Sequence, residues 1–194
     1  MSYAPPVTLL LIFINIVVFG WESATGALES KQSIIAAGAL SRDHVLHGEV
    51  WRLLTPMFLH GSEDHLIGNS LALYVLGVAC EHAVGSVRML GLYLAAGICG
   101  ALASLIISVG PSVGASGAIF GVMAAVAVML HVHQDRFYLR EKRVTVVVAA
   151  WALFTIATGL LSPFVDNAAH VGGFFCGAAI GRLLEHSAPP VGPA

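Results

Sequence analysis

Six stretches of this chain, 6–21, 66–84, 87–109, 115–130, 144–161 and 168–184, are apolar over lengths approaching the roughly 20 residues that cross about 30 Å of hydrocarbon. Such segments constrain the fold before any motif is read, because a backbone in lipid must satisfy its own hydrogen bonds and so forms helix. Composition agrees: 57% of the 194 residues are hydrophobic and 10% are charged, against roughly 25% charged in a soluble domain. The expectation is an all-α integral membrane protein, one membrane domain over 1–194. Six transmembrane helices form its bundle, with a long membrane-interfacial loop, 22–65, between the first two. The first stretch is expected to be a retained helix and not a cleaved signal peptide, since "MSYAPP" has no positive n-region. A net charge of −2 with no acidic or basic block excludes nucleic acid and highly charged substrates.

Orientation follows from basic residues flanking the spans: Arg88 after the second, Arg136, Arg140, Lys142 and Arg143 after the fourth, and Arg182 at the end of the sixth. These mark one side as cytoplasmic. Both termini then lie in the cytoplasm, and 22–65, 110–114 and 162–167 face outward. Within 22–65, "VWRLLTPMFLH" is amphipathic enough to lie in the interface, with Trp51 as aromatic anchor and Arg52 as snorkelling cation. His44 and His47 read as interfacial loop residues. Cys80, Cys99 and Cys176 show no paired spacing and read as small hydrophobes.

Gly117 and Gly121, and Gly173, Gly177 and Gly181, recur every four residues and make smooth stripes on the fourth and sixth spans. Such stripes let helix backbones approach closely, so these two spans are expected to touch. Polar side chains inside spans are expensive and each needs a reason. His65 and Asn69 share one face at the start of span two, His170 opens span six and Ser116 opens span four, all at outward-facing ends. A rise of 1.5 Å per residue puts Ser116 about 22 Å from His131 and His170 about 18 Å from Arg182, so the two lie at compatible depths.

Chemistry then assigns candidate roles. A serine hydroxyl is a weak nucleophile until a base accepts its proton, and His170 is the candidate base for Ser116. The Ser116 backbone amide at a helix N-terminus, with the side chains of Asn69 and His65, could hold an oxyanion. Gly114 and Gly117 beside Ser116 would let a substrate backbone approach. No acid is evidently placed to orient His170, Asp166 being assigned to the loop, so a Ser–His dyad is the economical reading. Taken singly, each residue has a bland reading: Ser116 as packing, Asn69 as an interhelical bond, His170 as a satisfied core histidine. Their joint depth favours the site. His60, Glu63, Asp64 and His65 could imitate a metal cluster, but their spacing is not that of a helical H-E-x-x-H motif, and neither metal nor cofactor is expected.

In the order "HLIGN", "GASGAIFG", "AAHVGGFFCG", with "WR" at 51–52 and Glu81 twelve residues after Asn69, the chain resembles the rhomboid intramembrane serine proteases from about residue 6 to 184. The resemblance implies a prokaryotic-type enzyme with a Ser116–His170 dyad and an oxyanion site of His65, Asn69 and the Ser116 amide. It implies cleavage of a membrane-protein partner's transmembrane helix near its outer end, without metal or ATP. The site would open outward through a polar cavity lined by His60, His65, Asn69 and Ser116. Two departures stand out: Phe120 occupies a position where members often have a tyrosine stacked on the histidine, and Glu81-His82-Ala83 keeps the acid of a Glu-x-Arg motif but loses its base. The span 144–161, with Trp151 and Phe154, is the expected mobile gate. A non-catalytic adaptor on the same scaffold is the alternative; a transporter is disfavoured, because the halves show no repeat.

Overall fold

A computed structural model of the chain describes residues 5–132 and 165–184, and between them 146, 149, 150, 152, 153 and 155–157. Seven helices are named among these: α1 (Pro6–Thr25), α2 (Lys31–Ala37), α3 (Arg42–Leu46), α4 (Glu63–Val84), α5 (Ser86–Ile107), α6 (Ser116–Val132) and α7 (Asn167–Leu184). Two 3₁₀ turns, Val50–Leu53 and Thr55–Phe58, precede α4. The described residues form no β-strand, only an isolated bridge between Leu40 and Ser112. Helices α1, α4 and α5 are long and apolar enough to cross a membrane, and Ser116–His131 of α6 is a shorter apolar helix. The expected span 144–161, its gating residues Trp151 and Phe154, and the basic cluster at 136–143 lie largely outside the described residues; those described within the span are helical.

The segment expected as a loop over 22–65 is shorter and more ordered than hydropathy suggests. Helix α1 runs past the charged Glu22 to Thr25 and stops at Gly26, whose φ of 74° is the left-handed cap that glycine takes without strain. Helix α4 starts at Glu63, where the Ser62 hydroxyl accepts the His65 amide and Glu63 and Asp64 complement the positive helix end. Counting apolar residues ends a span at a charge, whereas the helix ends at its caps. Between them, α2 is capped by Ser30, and His44 of α3 bonds Ser41 through Nδ1 at 3.0 Å.

Arg52 corrects a second expectation. It does not snorkel: it is 4% exposed, donates Nε to Glu49 at 2.7 Å and Nη1 to the carbonyls of Ile35 and Ala39, and lies 4.4 Å from the Trp51 ring centroid. The guanidinium thus ties α2 to the 3₁₀ turns. Glu81 does comparable work at the other end of the bundle. Its carboxylate accepts from Val7 N at 3.0 Å, Thr8 N at 2.8 Å, Thr8 Oγ1 at 2.7 Å and Ser86 Oγ at 2.7 Å. The α4–α5 turn is therefore pinned to the first turn of α1, with no arginine at Ala83.

The core gathers Leu73 and Leu76 of α4, Met89, Leu92 and Tyr93 of α5, and Ile119, Phe120 and Val122 of α6. Helix α7 packs chiefly against α6 and α5. A Cβ at Gly173 would collide with the Gly117 carbonyl, and one at Gly177 with the Gly121 backbone, so the glycine stripes do meet. Cys80 is buried in this core, and the three cysteines are free.

Candidate active site

Ser116 is the first residue of α6, and the chain reaches it through Gly114 at φ 124°. The Gly114 amide donates to the Pro56 carbonyl at 2.8 Å, anchoring this approach to the second 3₁₀ turn. A side chain at Gly114 would meet the His65 ring at 2.6 Å and the Asn69 amide nitrogen at 3.5 Å. Here glycine satisfies two demands: a backbone angle that other residues rarely adopt and room for two polar side chains of α4.

His170 occupies the first turn of α7, and its Nε2 lies 2.8 Å from Ser116 Oγ. Its ring stacks on Phe120, with centroids 4.3 Å apart and planes inclined by 4°. Stacking on one face and a hydrogen bond at one edge leave the imidazole little freedom. Both rings are buried. Nδ1 is buried and meets no hydrogen-bond partner among the described residues. Asp166 is turned away: its carboxylate takes the hydroxyls of Ser104 and Ser108 and the Ala169 amide. No acid is therefore bonded to the far side of the imidazole among the described residues.

Asn69 is 4% exposed, and its Nδ2 is buried without a partner among the described residues. His65 is half-buried beside Gly114. His60, expected to line an open cavity, has no exposed surface and sits behind His65, with ring centroids 5.2 Å apart at 65°. Burial first, and the neighbouring His65 second, push the His60 imidazole down to about 4, so it is neutral at pH 7. Gly117 also differs from expectation. A side chain there would meet the Ala169 carbonyl at 3.2 Å, so the space it leaves is filled by α7 and is not clearance for a substrate.

Two features were not evident from the sequence reading. Glu22, whose charge marked the end of the first span, is buried and accepts the His60 amide at 3.1 Å. The hub at Asp166 had a signal in the sequence: serines at 104 and 108, one turn apart, and an Asp three residues before an amide at a helix start. Among the described residues no three His, Cys, Asp or Glu side chains cluster in a way that could hold a metal ion, and Glu63 and Asp64 are exposed.

A helical bundle of apolar, membrane-length segments with a serine and a histidine in contact at two helix starts suggests a class, and comparison with known proteins establishes the family. Residues 47–187 match the model of the rhomboid domain, and the chain belongs to the rhomboid family. It is an integral, multi-pass membrane protein.

Among its relatives is rhomboid protease GluP of Bacillus subtilis (strain 168), 38% identical over 181 residues, covering 91% of this chain and 35% of GluP. Rhomboid protease AarA of Providencia stuartii is 35% identical over 203 residues, covering 89% of this chain and 70% of AarA. RHOMBOID-like protein 7 of Arabidopsis thaliana is 36% identical over 158 residues, covering 80% of this chain and 50% of that protein. The chain thus spans about a third of the first relative and half of the third.

Proposed function

We propose that this protein is an intramembrane serine endopeptidase that cleaves transmembrane segments of membrane-protein substrates with a Ser116–His170 dyad. The observation that carries the reading is the 2.8 Å contact between Ser116 Oγ and His170 Nε2, held by the Phe120 stack. In this reading His170 Nε2 takes the hydroxyl proton as Oγ attacks the substrate carbonyl, then returns it to the leaving amine. Water repeats the cycle on the acyl-enzyme and frees Ser116. The oxyanion is held by the Ser116 amide, His65 and the Asn69 Nδ2, which meets no partner among the described residues. A substrate helix must unwind locally, because its carbonyls are otherwise bonded within the helix.

The proposed frame is one membrane domain of six spans, with 144–161 as the fifth. Both termini are cytoplasmic, and the site opens to the outer face of a prokaryotic cell membrane. Labelling of the full chain by a fluorophosphonate tests the activity directly. The wild-type protein should label and should cleave a model single-span substrate, whereas Ser116→Ala and His170→Ala should do neither at unchanged expression. A wild-type protein that binds such substrates but neither labels nor cleaves would make it a non-catalytic adaptor.

A further inference from the structure

The Asp166 carboxylate does not bond the side chains of Ser116 or His170, yet it joins the segment that carries His170 to the end of α5. Its Oδ1 accepts the Ser108 hydroxyl at 2.7 Å and the Ala169 amide at 3.1 Å, its Oδ2 accepts the Ser104 hydroxyl, and its main-chain carbonyl accepts the His170 amide at 3.2 Å. Ser104 and Ser108 stand one turn apart at the end of α5. Ser112, on the loop that leads into Ser116, acts on the carboxylate electrostatically, helping to favour its charged form. That residue is itself held by paired backbone bonds to Leu40, at 2.9 and 3.1 Å. A single carboxylate therefore closes two pieces, the last turn of α5 and the first turn of α7.

We propose that Asp166 is a positioning residue that sets the height and azimuth of His170 against Ser116 by capping α7 onto the end of α5. This inference rests on the protease reading above. The cap fixes the first turn of α7, and His170 follows Asp166 by one turn, so its ring inherits that placement. Burial alone would push the Asp166 carboxyl up, but the donors at Ser104, Ser112, Ser108 and the Ala169 amide hold it below the usual carboxylate range. The residue is thus an anion at neutral pH. A negative charge one turn away also stabilises the imidazolium that forms when His170 takes the serine proton. The titratable groups acting on His170 are Asp166 and His65 of α4. Helix α6 presents Ser116 and Phe120, and α5 presents Gly100 beside Ala169.

Asparagine at 166 keeps an oxygen for the Ser108 hydroxyl and the Ala169 amide, and its NH₂ can donate to the Ser104 hydroxyl, so it removes the charge and spares the cap; alanine removes both. The test uses the full chain in phosphatidylcholine–phosphatidylglycerol vesicles and follows fluorophosphonate acylation of Ser116 from about pH 3 to 8.5, alongside the ¹⁵N NMR titration of His170. Asp166→Ala should slow acylation by about 10- to 100-fold and move the acidic midpoint of both profiles downward, whereas Asp166→Asn should move the midpoint with a smaller loss of rate. The Ser104→Ala/Ser108→Ala protein keeps the charge and should slow acylation without moving the midpoint; it also serves if Asp166→Ala does not fold. Unchanged acylation in a folded Asp166→Ala protein, or in the double variant, would overturn the positioning role. A wild-type protein that fails to acylate while its His170 midpoint still falls in Asp166→Asn would overturn the protease reading and leave the electrostatic coupling standing.

Discussion

Asn69 buries an amide nitrogen that donates to nothing among the described residues, at a general cost of about 1–3 kcal/mol. In the proposed reaction an oxyanion would complete it. Asn69→Ala should lower the rate of model-substrate cleavage by up to about 10²- to 10³-fold with no loss of thermal stability. A cleavage rate equal to wild type would remove Asn69 from the oxyanion site. Phe120 shows the limits of sequence at this scale. As a phenylalanine in an apolar run it reads as core, and as a replacement for tyrosine it reads as a loss. The 4.3 Å stack shows that the contact with His170 needs the ring face and not a hydroxyl.

Helix meets helix here through glycine. Between apolar helices in lipid no hydrophobic force favours association, so close backbone approach and interhelical hydrogen bonds decide the packing. Gly177→Ala should lower the melting temperature in detergent and weaken the Ser116–His170 contact, since the new methyl would strike the Gly121 backbone and overpacking typically costs about 1–3 kcal/mol. Gly91→Ala on α5, where nothing lies within 4 Å, is the control and should be neutral or slightly stabilising. Equal melting temperatures for the two variants would refute the stripe as an interface. The stripes on α6 and α7 were legible in the sequence because their period is that of the helix. The extension of α1 past Glu22 and the short helices α2 and α3 were not. Their signals are caps at Gly26 and Ser30, which a search for long apolar runs passes over.

Across the whole molecule, buried and half-buried carboxylates tie helix ends to their neighbours. Glu81 joins α1 to the α4–α5 turn, Glu22 joins α1 to His60, and Asp166 joins α5 to α7. Burial of a titratable ring beside one of these ties makes stability depend on pH. The His60 imidazole is pushed down to about 4 from an ordinary 6.5, so between those values the unfolded chain binds a proton that the folded chain refuses. His60 therefore contributes a loss of stability as pH drops from about 6.5 towards 4, read as the difference between wild type and a His60 variant. Thermal unfolding of both proteins across that range should show wild type losing stability relative to His60→Gln as pH falls; an equal slope in the variant would exclude His60 as a contributor.

What the sequence determined by itself is whatever depends on neighbours along the chain. That includes apolar helices of membrane length, the faces that glycine leaves smooth, and the residue types able to act as nucleophile and base. What only the tertiary structure decided depends on which residue fills a given space. The spaces left by Gly114 and Gly117 are taken by His65, Asn69 and α7, and Arg52 turns inward to carbonyls. Asp166 serves the helix ends and not the imidazole edge, and Ser116 meets His170 across 54 positions of sequence. Hydropathy and spacing are local properties of the chain, whereas these contacts exist only once separate helices have packed at one height and one rotation.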